Sequence, residues 1–91
     1  MKKIIMQRMN CDEKQAEKLE KKLSAVDPIL KPILNNWLEN GIEENDQVFN
    51  SFSINTLMKE HSLTFTGALL TLDWLLREPE LATKAIKEGI K

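Results

Sequence analysis

Apolar residues recur along this chain at spacings of three and four, so the sequence predicts helices and almost no strand. Ala16, Leu19, Leu23 and Val26 form one narrow stripe among mostly charged neighbours, with Glu17 four residues ahead of Lys21 in the favourable order. That pattern describes a surface helix with one buried edge. Asn10 followed three residues later by Glu13 reads as a capping box, and Asp12 and Glu13 suit the positive end of a helix dipole. The stripe also continues backwards through Asp12 to Met9 and Ile5. Residues 1–10 therefore read as a flexible arm or as the start of a longer helix, even a short coiled-coil seam.

Asp27-Pro28 predicts a second helix start, and two rows follow it, Ile29/Ile33/Trp37 and Leu30/Leu34/Leu38. Pro32 inside this pattern implies a distorted first turn or a fresh start at Pro32. Asn40-Gly41 is the predicted stop. Residues 41–50 form a polar, acidic loop, with Val48 and Phe49 turning back toward the core. Ser53 is expected to cap a short helix through His61 that buries Ile54, Leu57 and Met58. Ser62 marks a corner, after which Thr64 or Thr66 caps a helix carrying Ala68, Leu69, Leu72, Leu75 and Leu76. Glu78-Pro79 opens the last helix, with Leu81, Ala82, Ala85 and Ile86 as its stripe and Gly89 as its stop. The expected fold is all-α: a compact bundle of four to five short helices forming one domain over residues 1–91.

Composition agrees with a folded chain, at 42% apolar and 30% charged residues, and 91 residues suffice for one core. The net charge of −1 hides an uneven distribution. Residues 1–31 hold eight Lys/Arg against five Asp/Glu, residues 32–58 hold four acids and no base, and the remainder is balanced. A basic first third and an acidic middle can attract each other or a partner. The single cysteine, Cys11, forms no internal disulfide, which makes a reducing cytoplasm the expected compartment. MKKIIMQRMN lacks the apolar run of a secretory signal, and no stretch approaches the ~18 apolar residues of a membrane span.

Little here suits catalysis. His61 and Cys11 are each alone of their kind, whereas a zinc site needs three or four convergent ligands. Glu43, Glu44 and Asp46 lack the alternation, central Gly and terminal Glu of a calcium loop, and three scattered glycines make no phosphate cradle. No enzyme activity, metal or cofactor is expected. Trp37 belongs to a core row; Trp74, with Leu70 one turn before it, falls on the outer side of a helix whose inner side is already apolar.

Residues 53–76 resemble a helix-turn-helix unit. Leu57 and Met58 pack the first helix, Ser62-Leu63-Thr64 occupies the turn, and Ala68, Leu69 and Leu72 anchor the second helix. The resemblance covers about a quarter of the chain, and Ser62 stands where that family usually has Gly. It implies a second helix presented to DNA. Yet the face expected outward, Thr66, Gly67, Leu70, Thr71, Asp73 and Trp74, carries no cation and no common base-reading side chain. The reading placed first is therefore a module for protein contact or self-association through Leu70 and Trp74, rimmed by Glu43, Glu44 and Asp46. The alternative is a DNA-binding module that clamps phosphates with Lys18, Lys21, Lys22 and Lys59.

Overall fold

A computed structural model describes residues 1–89 of the chain and shows an all-α fold. Among those residues there are six α-helices, one 3-10 turn and no strand. The chain divides into two compact units, residues 1–42 and residues 43 onward.

The first unit contains α1 (Lys2–Met9), α2 (Glu13–Ser24), the 3-10 turn (Pro28–Leu30) and α3 (Lys31–Asn40). Residues 1–10 thus carry a helix of their own, with Ile5 fully buried, and neither the flexible arm nor the continuous longer helix is seen. The break is Asn10, which adopts a left-handed backbone (φ 50°) that its short polar side chain tolerates. Asn10 is a stop, not the predicted cap. The N-cap of α2 is Asp12: its carboxylate accepts from the Gln15 backbone N–H at 2.8 Å, and Gln15 Oε1 accepts from the Asp12 N–H at 3.3 Å. A capping box is present, two residues later than the Asn10–Glu13 pair suggested.

Helices α1 and α2 pack together. Lys2 Nζ, at the start of α1, donates to Glu13 at 3.0 Å and to Glu17 at 3.2 Å. Glu17 is drawn to Lys2, so the expected Glu17–Lys21 pair is not what α2 uses. Ala16, Leu23 and Val26 are buried and Leu19 is half-buried at the edge of the stripe. The 3-10 turn delays the regular helix to Lys31, which places Pro32 in the first turn where its missing N–H costs nothing. The same delay removes Ile29 from its predicted row and leaves it 53% exposed, while Ile33, Leu34, Trp37 and Leu38 are buried. Two cations cover carbonyls at helix C-termini, the end that favours positive charge. Lys31 Nζ donates to Ser24 O at 2.8 Å, and Arg8 Nη2 donates to Leu38 O at 3.4 Å.

The second unit begins with the acidic loop. Asn45 is fastened to the next helix by a reciprocal pair: its N–H donates to Asn55 Oδ1 at 2.9 Å and its carbonyl accepts from the Asn55 N–H at 3.2 Å. Phe49 and Phe52 then exchange both backbone hydrogen bonds, at 2.6 and 2.9 Å, around Asn50-Ser51. Both turn residues have positive φ, as two-residue hairpin turns favour. Neighbours in extended backbone face opposite sides, so Phe49 is buried and Val48, also expected inward, is 65% exposed.

Helices α4 (Ile54–Glu60), α5 (Phe65–Arg77) and α6 (Pro79–Lys87) follow. Ser53 caps α4, its Oγ accepting from the Thr56 N–H at 3.1 Å. His61 closes that helix, and Ser62 turns the corner at φ 55°. Thr64 caps α5 through the Gly67 N–H at 3.2 Å, and Thr66 does not serve as cap. In α6 only Ala82 and Ile86 are buried. Leu81 is 57% exposed because one residue before Ala82 it is rotated about 100° off their row.

Candidate functional site

Helix α5 is more enclosed than its sequence suggests. Phe65, Thr66, Ala68, Leu69, Thr71, Leu72 and Leu75 are buried, and between Phe65 and Leu76 no residue is fully exposed. Thr66 and Thr71 were expected outward and are inside. Their hydroxyls are accommodated locally: Thr71 Oγ1 donates to Gly67 O one turn back at 2.8 Å, and Thr66 Oγ1 lies 3.3 Å from Thr64 Oγ1. Their methyl groups are then free to join the apolar side. Leu76, expected inside, is half-buried, and Leu75 takes the inner position.

Leu70 and Trp74 are both half-buried, one turn apart on the less enclosed side of α5. The Trp74 indole N–H donates to Glu78 Oε2 at 3.0 Å, so the polar end of the ring is fixed. Glu78 and Leu81 line one open hollow with Pro79, Glu80 and Lys84. Glu78 thus links Trp74 to the hollow that Leu81 lines, a strip joined through one carboxylate from the end of α5 onto α6. Sequence reasoning missed Leu81 as a surface residue because it assigned it to the buried stripe. Asp73 and Arg77 pair beside this strip, Nε to Oδ2 at 3.1 Å.

The acidic residues Glu43, Glu44 and Asp46 are all exposed, and they flank the pinned Asn45. They are not the only charges near that loop. Lys59, proposed as a phosphate contact, lines a hollow with Glu43, Glu44, Asn55 and Met58, so its surroundings are acidic. Lys59 thus lies with the acidic group in the second unit, whereas Lys18, Lys21 and Lys22 belong to the first.

Those three lysines and Lys14 are exposed on α2. On a helical wheel the four span about 100°, opposite Ala16, Leu19 and Leu23, while Glu13, Glu17 and Glu20 occupy the other flank. Lys2 engages two of those acids, and hydrogen bonds to Glu13 first and Glu17 second raise its ammonium above the ordinary value of 10.5. Among the described residues no carboxylate pairs with Lys14, Lys18, Lys21 or Lys22. At the edge of the basic face lies an open hollow of about 370 Å³, lined by Met9, Cys11, Gln15, Lys18, Leu19 and Lys22. Sequence reasoning missed this hollow, although Leu19 between two lysine positions marks its edge.

His61 is the C-cap of α4 and Cys11 is half-buried near α1, its Sγ 4.0 Å from Ile5 O. Among the described residues no group of three or more His, Cys, Asp or Glu side chains is placed to hold a metal ion, and no helix is long and apolar enough to cross a membrane. No protein-family model, curated protein or solved structure matches this chain.

Proposed function

We propose that this chain is a small non-enzymatic helical module that works in the cytoplasm by protein contact, with Leu70, Trp74 and Leu81 as the contact strip. The observation that carries this reading is Trp74: a large ring that is only half-buried, its indole N–H donating to Glu78, which in turn shares a hollow with Leu81, a leucine 57% exposed. A fixed, amphipathic aromatic gives contact area at little entropic cost, and Trp anchors dominate protein interfaces. The test is acrylamide quenching in the Trp37→Phe variant, where Trp74 is the sole indole. Trp74 is expected to be quenched in dilute monomer far more than Trp37 is in a Trp74→Phe variant, because Trp37 is fully buried. Equal shielding of the two rings in a monomer removes the contact strip.

A second reading, phosphate contact by Lys18, Lys21 and Lys22, draws on their exposure and on their having no carboxylate partner among the described residues. The enclosed α5 and the acidic setting of Lys59 give it no support from the helix-turn-helix corner. Salt-sensitive retardation of random duplex, lost on changing those lysines to Glu, is the result it requires.

A further inference from the structure

We infer that the basic face of α2 receives the acidic loop of a second copy of this chain, giving a head-to-tail self-association. This rests on the reading that the chain acts by protein contact but uses neither Leu70 nor Trp74. Two unmet surfaces carry it, and they are complementary in both charge and apolar content. On one side, Lys14, Lys18, Lys21 and Lys22 form a segregated basic face, and none of them pairs with a carboxylate among the described residues. On the other, Glu44 and Asp46 are exposed on either side of Asn45, and Val48 two residues on is 65% exposed. Glu44 and Asp46 likewise have no ion-pair partner among the described residues, so each surface presents its charge to a partner of opposite sign.

The apolar parts favour a protein occupant over a polyphosphate. The hollow beside Lys18 and Lys22 has Met9, Cys11 and Leu19 in its lining, which a phosphodiester chain has no use for. Val48 is an exposed aliphatic side chain close in sequence to Glu44 and Asp46, and methionine-lined hollows adapt readily to such a group. No aromatic residue stands on this face to stack a base. The acidic loop is also pre-organised: both backbone groups of Asn45 are tied to Asn55, which lowers the entropy lost when Glu44 and Asp46 are captured. Because donor and acceptor surfaces differ, each copy retains one of each after pairing. Assembly is then open-ended or closes into a ring. Contact carried by a few exposed charged side chains and one aliphatic group is weak.

The experiment is sedimentation of the full chain across about 10 μM to 1 mM, a range matched to weak interfaces, at low and at high salt. Self-association is expected at low salt and should weaken by about tenfold or more at ~0.5 M salt, where charges are screened beyond about 4 Å. Lys18→Glu/Lys22→Glu and Glu44→Lys/Asp46→Lys are all exposed substitutions, so both variants should keep the wild-type circular dichroism. Each should be monomeric alone, and an equimolar mixture should associate again, since every basic surface then finds an acidic one. A wild-type chain that stays monomeric throughout overturns the inference, whatever Trp74 does in the quenching experiment. So does association that survives Lys18→Glu/Lys22→Glu, or lysines that retard duplex DNA while the wild type stays monomeric.

Discussion

Ser62 shows how one residue fixes a corner. With φ at 55° it occupies the left-handed region that a side chain with a Cβ enters at a cost of about 1–2 kcal/mol. It stands where the helix-turn-helix pattern usually has glycine, so Ser62→Gly should stabilise the fold by about 0.5–1 kcal/mol, part of the gain being lost to the freer unfolded chain. Urea denaturation measures it, and a loss of stability would mean that the serine has another task. Gly41 is the converse. It closes α3 at φ 69°, and a Cβ there would stand 2.8 Å from Arg8 Nη1, so Gly41→Ala should destabilise by about 1–2 kcal/mol. Gly41 was legible in the sequence because only a glycine performs that stop cheaply. Asn10 and Asp12 were not told apart, since both residue types cap helices and tolerate turns, and the choice was made by Gln15, whose side chain completes the box.

At the level of elements, four helices follow directly from periodicity and caps: α2, α4, α5 and α6 begin within a few residues of their predicted starts. The separate α1 was hidden because its stripe runs in phase with that of α2, and periodicity alone does not register a single left-handed residue between them. The 3-10 turn similarly moved Ile29 to the surface without disturbing the rows behind it. Short helices expose this weakness most, because one residue of offset changes a quarter of the wheel. Leu72 and Leu81 make the contrast measurable. Leu72→Ala removes a fully buried side chain and should cost about 2–5 kcal/mol in a denaturant titration. Leu81→Ala should stay within about 0.5 kcal/mol of the wild type, as surface changes do. Equal losses would return Leu81 to the core stripe.

For the molecule as a whole, the uneven charge read from the sequence is the property that structure sharpened most. Sequence gives the sums, but it takes the fold to show that Lys2 turns back onto Glu13 and Glu17 and leaves the opposite flank of α2 uncompensated. The Lys2 contacts make a prediction about pH. Its raised value means that their contribution is present at neutral pH and is lost as pH climbs through the folded-state value, above 10.5. The stability gap between the wild type and Lys2→Met should therefore be small at pH 7 and vanish in strong alkali, which thermal melts at both pH values would show. A gap that widens with alkali would contradict the geometry. The candidate surfaces themselves were only half legible. Trp74 was singled out by its place on an already apolar helix, whereas the hollow beside Leu19 exists only because α1 folds against α2.

Cys11 is the chain's lone thiol, and it borders that hollow. A dye attached there through sulfur chemistry would need no engineered anchor and would report at one spot, next to Lys18 and Lys22, whereas Trp74 belongs to the other unit. Emission changes at this handle would register arrivals at the hollow that Lys18 and Lys22 line, so a labelled preparation reads the cationic flank without any added cysteine.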